Sequence, residues 1–342
     1  MSNTINFAVV GAGHIGKRHC SVIKNTSNAN LVAVADINTI ESENIIQNFN
    51  VPFFQSIEAL LSSGLTIDVI NICTPNGYHV SQSIQCLMAG YYVVCEKPMA
   101  LSKTEAVAML NASLERKKDI FCVMQNRYSP TSVWLKEIID SKVLGRINLV
   151  TVNCFWNRDT RYYNSSSWRG TKELDGGVLF TQFSHYIDTL YWLFGDVTNI
   201  VSRMYNFNHG DSIAFEDSGV ALFDFVNGGT CSFNFSTTAW DKNFVSNISI
   251  IGEYGSVKVG GQYMNEIEYC HIKNYQMPAL APSLPANDYG FYKGSAANHE
   301  FVIQNVIDHL QLGTSITATA QEGMKVVEII EAIYEAAKAD KK

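Results

Sequence analysis

The chain has no Cys-x-x-Cys pair, no internal repeat and no apolar run near the roughly 18 residues that cross a bilayer. Its eight cysteines, Cys20, Cys73, Cys86, Cys95, Cys122, Cys154, Cys231 and Cys270, show neither metal-ligand nor disulfide-framework spacing. Several lie in apolar strand-like runs (NICTP, VVCEK, FCVMQ), where a thiol acts as a small core residue. No metal site is expected, and reduced thiols point to the cytoplasm. The start, MSNTINFAVVGAG, lacks the basic, apolar and small-residue order of a secretory leader, so none is expected. A net charge of −7 repels nucleic acid and anionic membrane, and neither is an expected partner. With 46% apolar and 17% charged residues over 342 positions, the chain has the balance of a globular protein long enough for two cores.

The first part alternates short apolar strands with helices. Strands are predicted at 5–10, 31–35, 52–54, 69–73, 92–95 and 120–123, and helices at 15–24, 41–49, 57–62, 78–89 and 103–117. That order implies a parallel sheet with right-handed crossovers. After a helix at 132–140 the pattern changes. Segments such as INLVTVNCFW, SGVALFDF and GTCSFNFST predict a large, mostly antiparallel, open-faced sheet. One helix is predicted at 178–194, and residues 271–297, with three of the seven prolines, read as a loop. Helices at 298–311 and 319–338 close the chain, with Val326, Val327, Ile330 and Ile333 set to dock on a core. The expected parts are 1–124, then 125–297 for substrate and oligomerisation, then 298–342 packing back on the core.

Gly11, Gly13 and Gly16 form G-x-G-x-x-G between the first strand and first helix, with His14 and Ile15 inside the turn. The first glycine permits the turn, the second lets backbone approach a pyrophosphate, and the third permits close helix packing. Amide N–H groups at the helix start then receive phosphate charge. Asp36, twenty residues after Gly16, completes the pattern by accepting the adenosine ribose hydroxyls. A 2′-phosphate there would meet like charge, and Ile37 and Asn38 supply no cation, so the cofactor expected is NAD. The fold class is an α/β Rossmann domain plus an α+β domain.

Two further motifs end strands of the parallel sheet: Cys73-Thr74-Pro75-Asn76 with His79, and Glu96-Lys97-Pro98. Together with GAGHIGKRH at 11–19, they make the chain resemble, over nearly its whole length, the glucose–fructose oxidoreductase, inositol dehydrogenase and rhizopine catabolism (Gfo/Idh/MocA) family. The resemblance implies that Thr74, Pro75, Asn76, His79 and Glu96 line the cofactor. It also implies that Lys97 is catalytic and that a cis bond precedes Pro98. Physically, a lysine at the nicotinamide would hydrogen-bond the reacting hydroxyl and stabilise alkoxide character. The family's second signature, G-G-G-x-x-x-D-x-x-x-H-x-x-D, appears here as Asp175-Gly176-Gly177, Thr181, His185 and Asp188. His185 is the expected general base, a satisfied core histidine being the plainer reading; Asp188 reads as structural. Because Thr181 replaces the usual aspartate at i,i+4 from His185, the family's carboxylate–imidazole pair is not carried over.

Thr181, with W-x-G-T and L-D-G-G ahead of it, resembles the branch that holds UDP-N-acetylhexosamine and UDP-N-acetylglucosaminuronate 3-dehydrogenases of surface polysaccharide assembly. That likeness assigns substrate to Lys97, Arg127, Arg158, Arg161, Tyr163, Trp168, Arg169, Thr171, Thr181, Gln182 and His185, with Trp168 and Arg169 also at the cofactor. Arginines suit carboxylate or pyrophosphate, and aromatic rings cover a sugar face; the plainer reading of 157–172 is a solvated charged loop. The expectation is therefore an NAD-dependent oxidation of a secondary ring hydroxyl, C3 of a nucleotide-linked N-acetyl sugar or uronate, by a homodimer or homotetramer built through the sheet face. A free-sugar or inositol dehydrogenase is the alternative, and a non-catalytic NAD(P)-sensing regulator is the alternative of another class.

Overall fold

A computed structural model describes residues 4–210, 212–290 and 292–339. The chain divides into two compact units, one of residues up to Met124 with His299–Val327, the other of Gln125–Asn298 with the chain from Glu328.

In the first unit the chain runs β1 (Ile5–Val10), α1 (His14–Asn25), β2 (Ala29–Ala35), α2 (Ser42–Phe49), β3 (Phe53–Phe54), α3 (Ile57–Leu61), β4 (Val69–Ile72), α4 (His79–Met88), β5 (Tyr92–Cys95), α5 (Lys103–Arg116) and β6 (Ile120–Cys122). The strands pair in parallel in the order β3-β2-β1-β4-β5-β6. Helices pack on the sheet, so its central strands are buried and mostly apolar: every residue of β4 is buried, Asn71 being its one polar side chain, as are Phe7 to Val10 of β1. Serine caps start α3, at Ser56, and α5, at Ser102. Ser102 accepts the Glu105 N–H at the head of α5, and Lys117, at φ 52°, closes it in the left-handed region. Strand order reverses between β1 and β4, which opens a crevice at the carboxyl edge of the sheet.

The second unit contains α6 (Pro130–Asp140), β7 (Ile147–Phe155), α7 (Thr160–Tyr163), α8 (Val178–Thr181), α9 (Ser184–Phe194), β8 (Val197–Tyr205), β9 (Ser218–Phe225), β10 (Thr230–Ser236), β11 (Val245–Gly252), β12 (Gly255–Gly260), β13 (Glu266–Ile272), β14 (Ala286–Asp288) and β15 (Lys293–Ala296). Seven strands form one sheet in the order β13-β12-β11-β7-β10-β9-β8, antiparallel except for β7 beside β10. Strict alternation separates its faces. Val150, Val152, Cys154, Phe233 and Phe235 point into the core, while Thr151, Asn153, Ser232 and Asn234 line the open side. Phe183, Trp156, Tyr186 and Phe235 interlock on the inner face, each ring worth about 2–3 kcal/mol through burial.

Three details differ from expectation. Residues 266–272, not predicted, form edge strand β13, whose mixed charge hides the strand pattern. The predicted loop 271–297 contains the β14–β15 hairpin. The single helix predicted at 178–194 is two: Gln182 and Phe183 both donate to the Val178 carbonyl, and α9 restarts beyond the buried Phe183 ring. Thr181 and His185 are thus not on one helix.

The closing helices are α10 (His299–Leu312) and α11 (Ala320–Ala339). The α10 helix packs on α1, and Thr319 bridges to Phe121 of β6, so this stretch joins the first unit. The second half of α11 joins the second unit, where the Tyr334 hydroxyl donates to Glu216 Oε1 at 2.6 Å. The same oxygen accepts the Val178 N–H at 3.1 Å. A side chain at Gly177 would meet the Tyr334 hydroxyl, which explains that signature glycine.

Burial pushes the Glu216 carboxyl up to about 7, with Asp175 adding repulsion, despite its hydrogen bonds. Because the folded value lies above the unfolded one, the protonated acid's contribution is complete below about 4.5 and is lost as pH rises through about 7. Glu216→Gln should remove this dependence and gain up to about 3 kcal/mol relative to the parent at pH 8 over pH 5. Urea melts at both pH values check it; parallel curves would refute it.

Candidate active site

All of the expected cofactor motifs in the first unit meet at the crevice between β1 and β4. Gly11 has φ +97°, and a Cβ there would lie 2.7 Å from the Cys73 backbone. A Cβ on Gly16 would lie 1.7 Å from the Gly11 carbonyl oxygen, so only glycine lets α1 seat on β1. Gly13, at the helix N-cap, is different: a Cβ would meet nothing within 4 Å. The open space at that position, at the N-terminal end of α1, suits a pyrophosphate. Asp36 accepts the Ala12 N–H at 2.5 Å and the Asn38 N–H at 2.7 Å, one on each oxygen. Its carboxylate is thereby oriented, with lone pairs left for two ribose hydroxyls. His14 is exposed and Ile15 half-buried on the first turn of α1.

The Thr74 and Lys97 loops follow β4 and β5 at the same edge. Thr74 donates its hydroxyl to Gln82, and Pro75 and Asn76 lead into α4. Lys97 is half-buried and the Lys97–Pro98 bond is cis. Two residues expected to touch the cofactor do other work. His79 is buried with ring nitrogens 2.7 Å from the Pro98 carbonyl oxygen and 2.8 Å from the Thr74 carbonyl oxygen, so it braces both loops. Glu96 is 6% exposed and binds His19 and the Lys97 N–H.

In the second unit His185 lies in the first turn of α9, 1% exposed, and Gln125 Nε2 donates to its Nε2 at 3.2 Å. An imidazole that accepts there is neutral, the form a general base requires. No motif marks Gln125 in the sequence. Asp188, one turn on, forms a two-pronged bond to Arg127 at 2.9 and 2.6 Å, both side chains fully buried. Arg127 was expected at the substrate; its charge is instead spent inside the fold. Removing either partner of such a pair costs about 3–5 kcal/mol. The carboxylate missing at position 181 has not vanished: the Thr181 hydroxyl bonds to the Asp175 carboxylate, and Asp175 also accepts the Gly170 N–H at 2.8 Å.

The basic segment separates into working and spent cations. Arg161 is exposed and held by Asp159, with Asp241 at 3.8 Å, so it is not a free anion contact. Thr171 spends its hydroxyl on the Trp168 carbonyl and the Leu174 N–H, building its own turn. Arg158 is 3% exposed and donates to the carbonyls of Asn157 and Lys293 and to Asn243, under the rings of Trp156, Tyr162 and Tyr292. Arg169 is half-buried, 4.2 Å from the Tyr162 ring centre and 5.5 Å from Trp168, and donates to Ser165 and the Tyr292 hydroxyl. Burial pushes the Arg158 guanidinium down and Arg169 adds repulsion. Burial lowers Arg169 too, but Tyr162, Tyr292 and Asp175 outweigh it and hold the guanidinium above its usual value. Neither arginine makes a salt bridge among the described residues. Tyr163 packs against Tyr162, and Gln182 donates to the Tyr162 hydroxyl at 3.0 Å.

Residues 5–124 match the oxidoreductase family with the NAD-binding Rossmann fold, and residues 133–258 match the GFO/IDH/MocA C-terminal domain. The chain belongs to the Gfo/Idh/MocA oxidoreductase family. Similar solved structures include the WlbA dehydrogenase from Chromobacterium violaceum in complex with NADH and UDP-GlcNAcA, 31% identical over 99% of this chain and 95% of that one, with a TM-score of 0.89. The WlbA dehydrogenase from Bordetella pertussis, with the same two ligands, is 31% identical over 98% and 97%, with a TM-score of 0.88. By sequence, the inositol 2-dehydrogenase of Rhizobium meliloti is 24% identical over 96% of each chain.

This member of the family is an NAD-dependent oxidoreductase, and the glycine turn, the open step at Gly13 and the oriented Asp36 fit that cofactor. Two substitutions separate fold from binding. Gly13→Ala should change stability by less than about 1 kcal/mol yet weaken NAD binding about tenfold or more, because its methyl group enters only the ligand's space. Gly16→Ala should cost about 3 kcal/mol or more, because its methyl group enters protein backbone. Melting curves and NAD fluorescence titrations distinguish them; equal thermal loss in both would contradict this account.

Proposed function

We propose that the protein oxidises a secondary ring hydroxyl, at C3, of a nucleotide-linked N-acetyl sugar or uronate, as a cytoplasmic step of surface polysaccharide biosynthesis. The observation that carries this reading is the Arg158–Arg169 pair, two cations held amid aromatic rings with no salt bridge to an acid among the described residues. A pyrophosphate or uronate carboxylate is the anion that two such cations in a ring-lined sugar site would receive. Arg169 makes the contact. Arg158, beneath it, acts by charge alone. Likeness to two dehydrogenases crystallised with UDP-GlcNAcA supports the same reading.

Bound NAD supplies the hydride acceptor. Neutral His185 takes the hydroxyl proton at Nε2 once the reacting hydroxyl displaces the Gln125 amide from that lone pair, and the Lys97 ammonium donates to the reacting oxygen and stabilises its developing charge. Tyr162, Tyr163, Trp168 and Gln182 shape the sugar side. Thr181, tied to Asp175, positions the α8–α9 junction beside His185.

Purified protein with NAD, a panel of UDP-sugars and a 2-oxo acid (to recycle retained cofactor) should reduce NAD with an N-acetylated UDP-sugar or uronate. Arg169→Ala should raise KM for it by about 10- to 100-fold, the worth of one charge-assisted hydrogen bond. Turnover of inositol or a free sugar, unaffected by Arg169→Ala, would replace this reading with that of a free-polyol dehydrogenase.

A homodimer or homotetramer through the open sheet face is part of the proposal. Val201, Val220, Leu222 and Leu149 are exposed there around a row of hydroxyl and amide side chains. Light scattering should give a multiple of the 38.0 kDa chain mass, reduced by Leu222→Lys; a monomer at micromolar concentration would refute it.

A further inference from the structure

Behind the Lys97 loop, the first unit holds a buried charged trio that the reaction above does not use. His19 of α1, Glu96 after β5 and His299 at the head of α10 are 1%, 6% and 1% exposed. His19 Nε2 donates to Glu96 Oε1 at 2.9 Å, and His299 Nε2 lies 3.6 Å from the same oxygen. Asn71 of β4 donates to His19 Nδ1 at 2.8 Å, which leaves the ring proton on Nε2 and fixes the tautomer. The other carboxylate oxygen, Oε2, accepts the Lys97 main-chain N–H at 3.2 Å. On the far side of Lys97, His79 holds the Pro98 carbonyl.

We propose that Glu96, held by a hydrogen bond from His19 with His299 beside it, is a positioning residue that fixes the Lys97 main chain and keeps the Lys97 amine in its ammonium form. Burial pushes Glu96 upward, but the His19 and His299 imidazoles outweigh it and hold the carboxyl well below its usual range. The carboxylate is therefore ionised at neutral pH, with Oε2 3.2 Å from the Lys97 main-chain nitrogen. An anion held against the residue that carries the amine favours the amine's charged form. The other titratable groups facing Glu96 are Cys73, Cys95, His79 and Lys97, with Arg18 beyond His299. Burial pushes both thiols well above their usual value, so they carry no charge that would offset it. The importance given to Lys97 rests on its role at the reacting hydroxyl, but the placement of Glu96 does not.

The experiment follows the amine directly in cofactor-free protein. The rate of Lys97 acylation by an amine-selective reagent is measured against pH by peptide mass spectrometry. Glu96→Gln, which keeps an acceptor for the Lys97 N–H but removes the charge, should move the midpoint down by about one pH unit. Glu96→Asp keeps the charge and withdraws it by one methylene, so its midpoint falls between the two. It carries the test if the glutamine variant does not fold. Coincident midpoints overturn the inference. So does one equivalent of transition metal in the parent that is lost in His299→Ala, since the three ligand-type atoms lie within 4.8 Å of one another. Lys97→Ala, assayed for turnover, is the separate check: retained turnover overturns the role given to Lys97 and leaves the midpoint result standing.

Discussion

Between Gly11 and Gly16 the backbone closes to a gap that no side chain can enter, and much of the first unit depends on that contact. It seats α1 against β1 with its N-terminus over the crevice where strand order reverses. One turn further along the same helix, His19 then reaches Glu96, and through Glu96 the main chain of Lys97. A turn usually read as a phosphate cradle is also the first link in a chain of bonds that ends at the Lys97 main-chain N–H. Burial costs along that chain are met bond by bond: Asn71 satisfies His19, His19 satisfies Glu96, and Glu96 satisfies a backbone donor.

Charge in the second unit is allocated by the same rule. A buried cation is stable when an acid or a ring of acceptors and aromatic faces receives it. Arg127 has Asp188, and Arg161 has Asp159 with Asp241. Arg158 and Arg169 have carbonyls, hydroxyls and the faces of Tyr162 and Tyr292, with no salt bridge to an acid among the described residues. The proposed substrate site rests on that positive charge, and no count of arginines along the chain reveals it.

The departure from the family's second signature has a structural counterpart. Where the family has glycine and then aspartate, this chain has Asp175 and then Thr181, and the two side chains bond to each other. A carboxylate therefore remains at this place in the fold, carried by a different residue and reached through a hydroxyl. The split between α8 and α9 makes the arrangement possible, since a continuous helix would have turned Thr181 toward His185.

Local spacing was enough to read the parallel sheet, the glycine turn, Asp36, the Lys97 loop and the strict alternation of the large sheet, because each is written in residues that touch within a few positions. Edge strand β13 and the β14–β15 hairpin were not legible, because edge positions carry mixed polarity and a short hairpin has no buried face to impose a period. Partners far apart in the chain were beyond reach for a simpler reason: nothing in the spacing of Arg127 and Asp188, or of His19, Glu96 and His299, tells that folding will bring them into contact. Sequence named the chemistry each side chain offers. Which of those offers are spent inside the protein, as with Arg127, His79 and Glu96, was settled by burial, where every charge must find its partner.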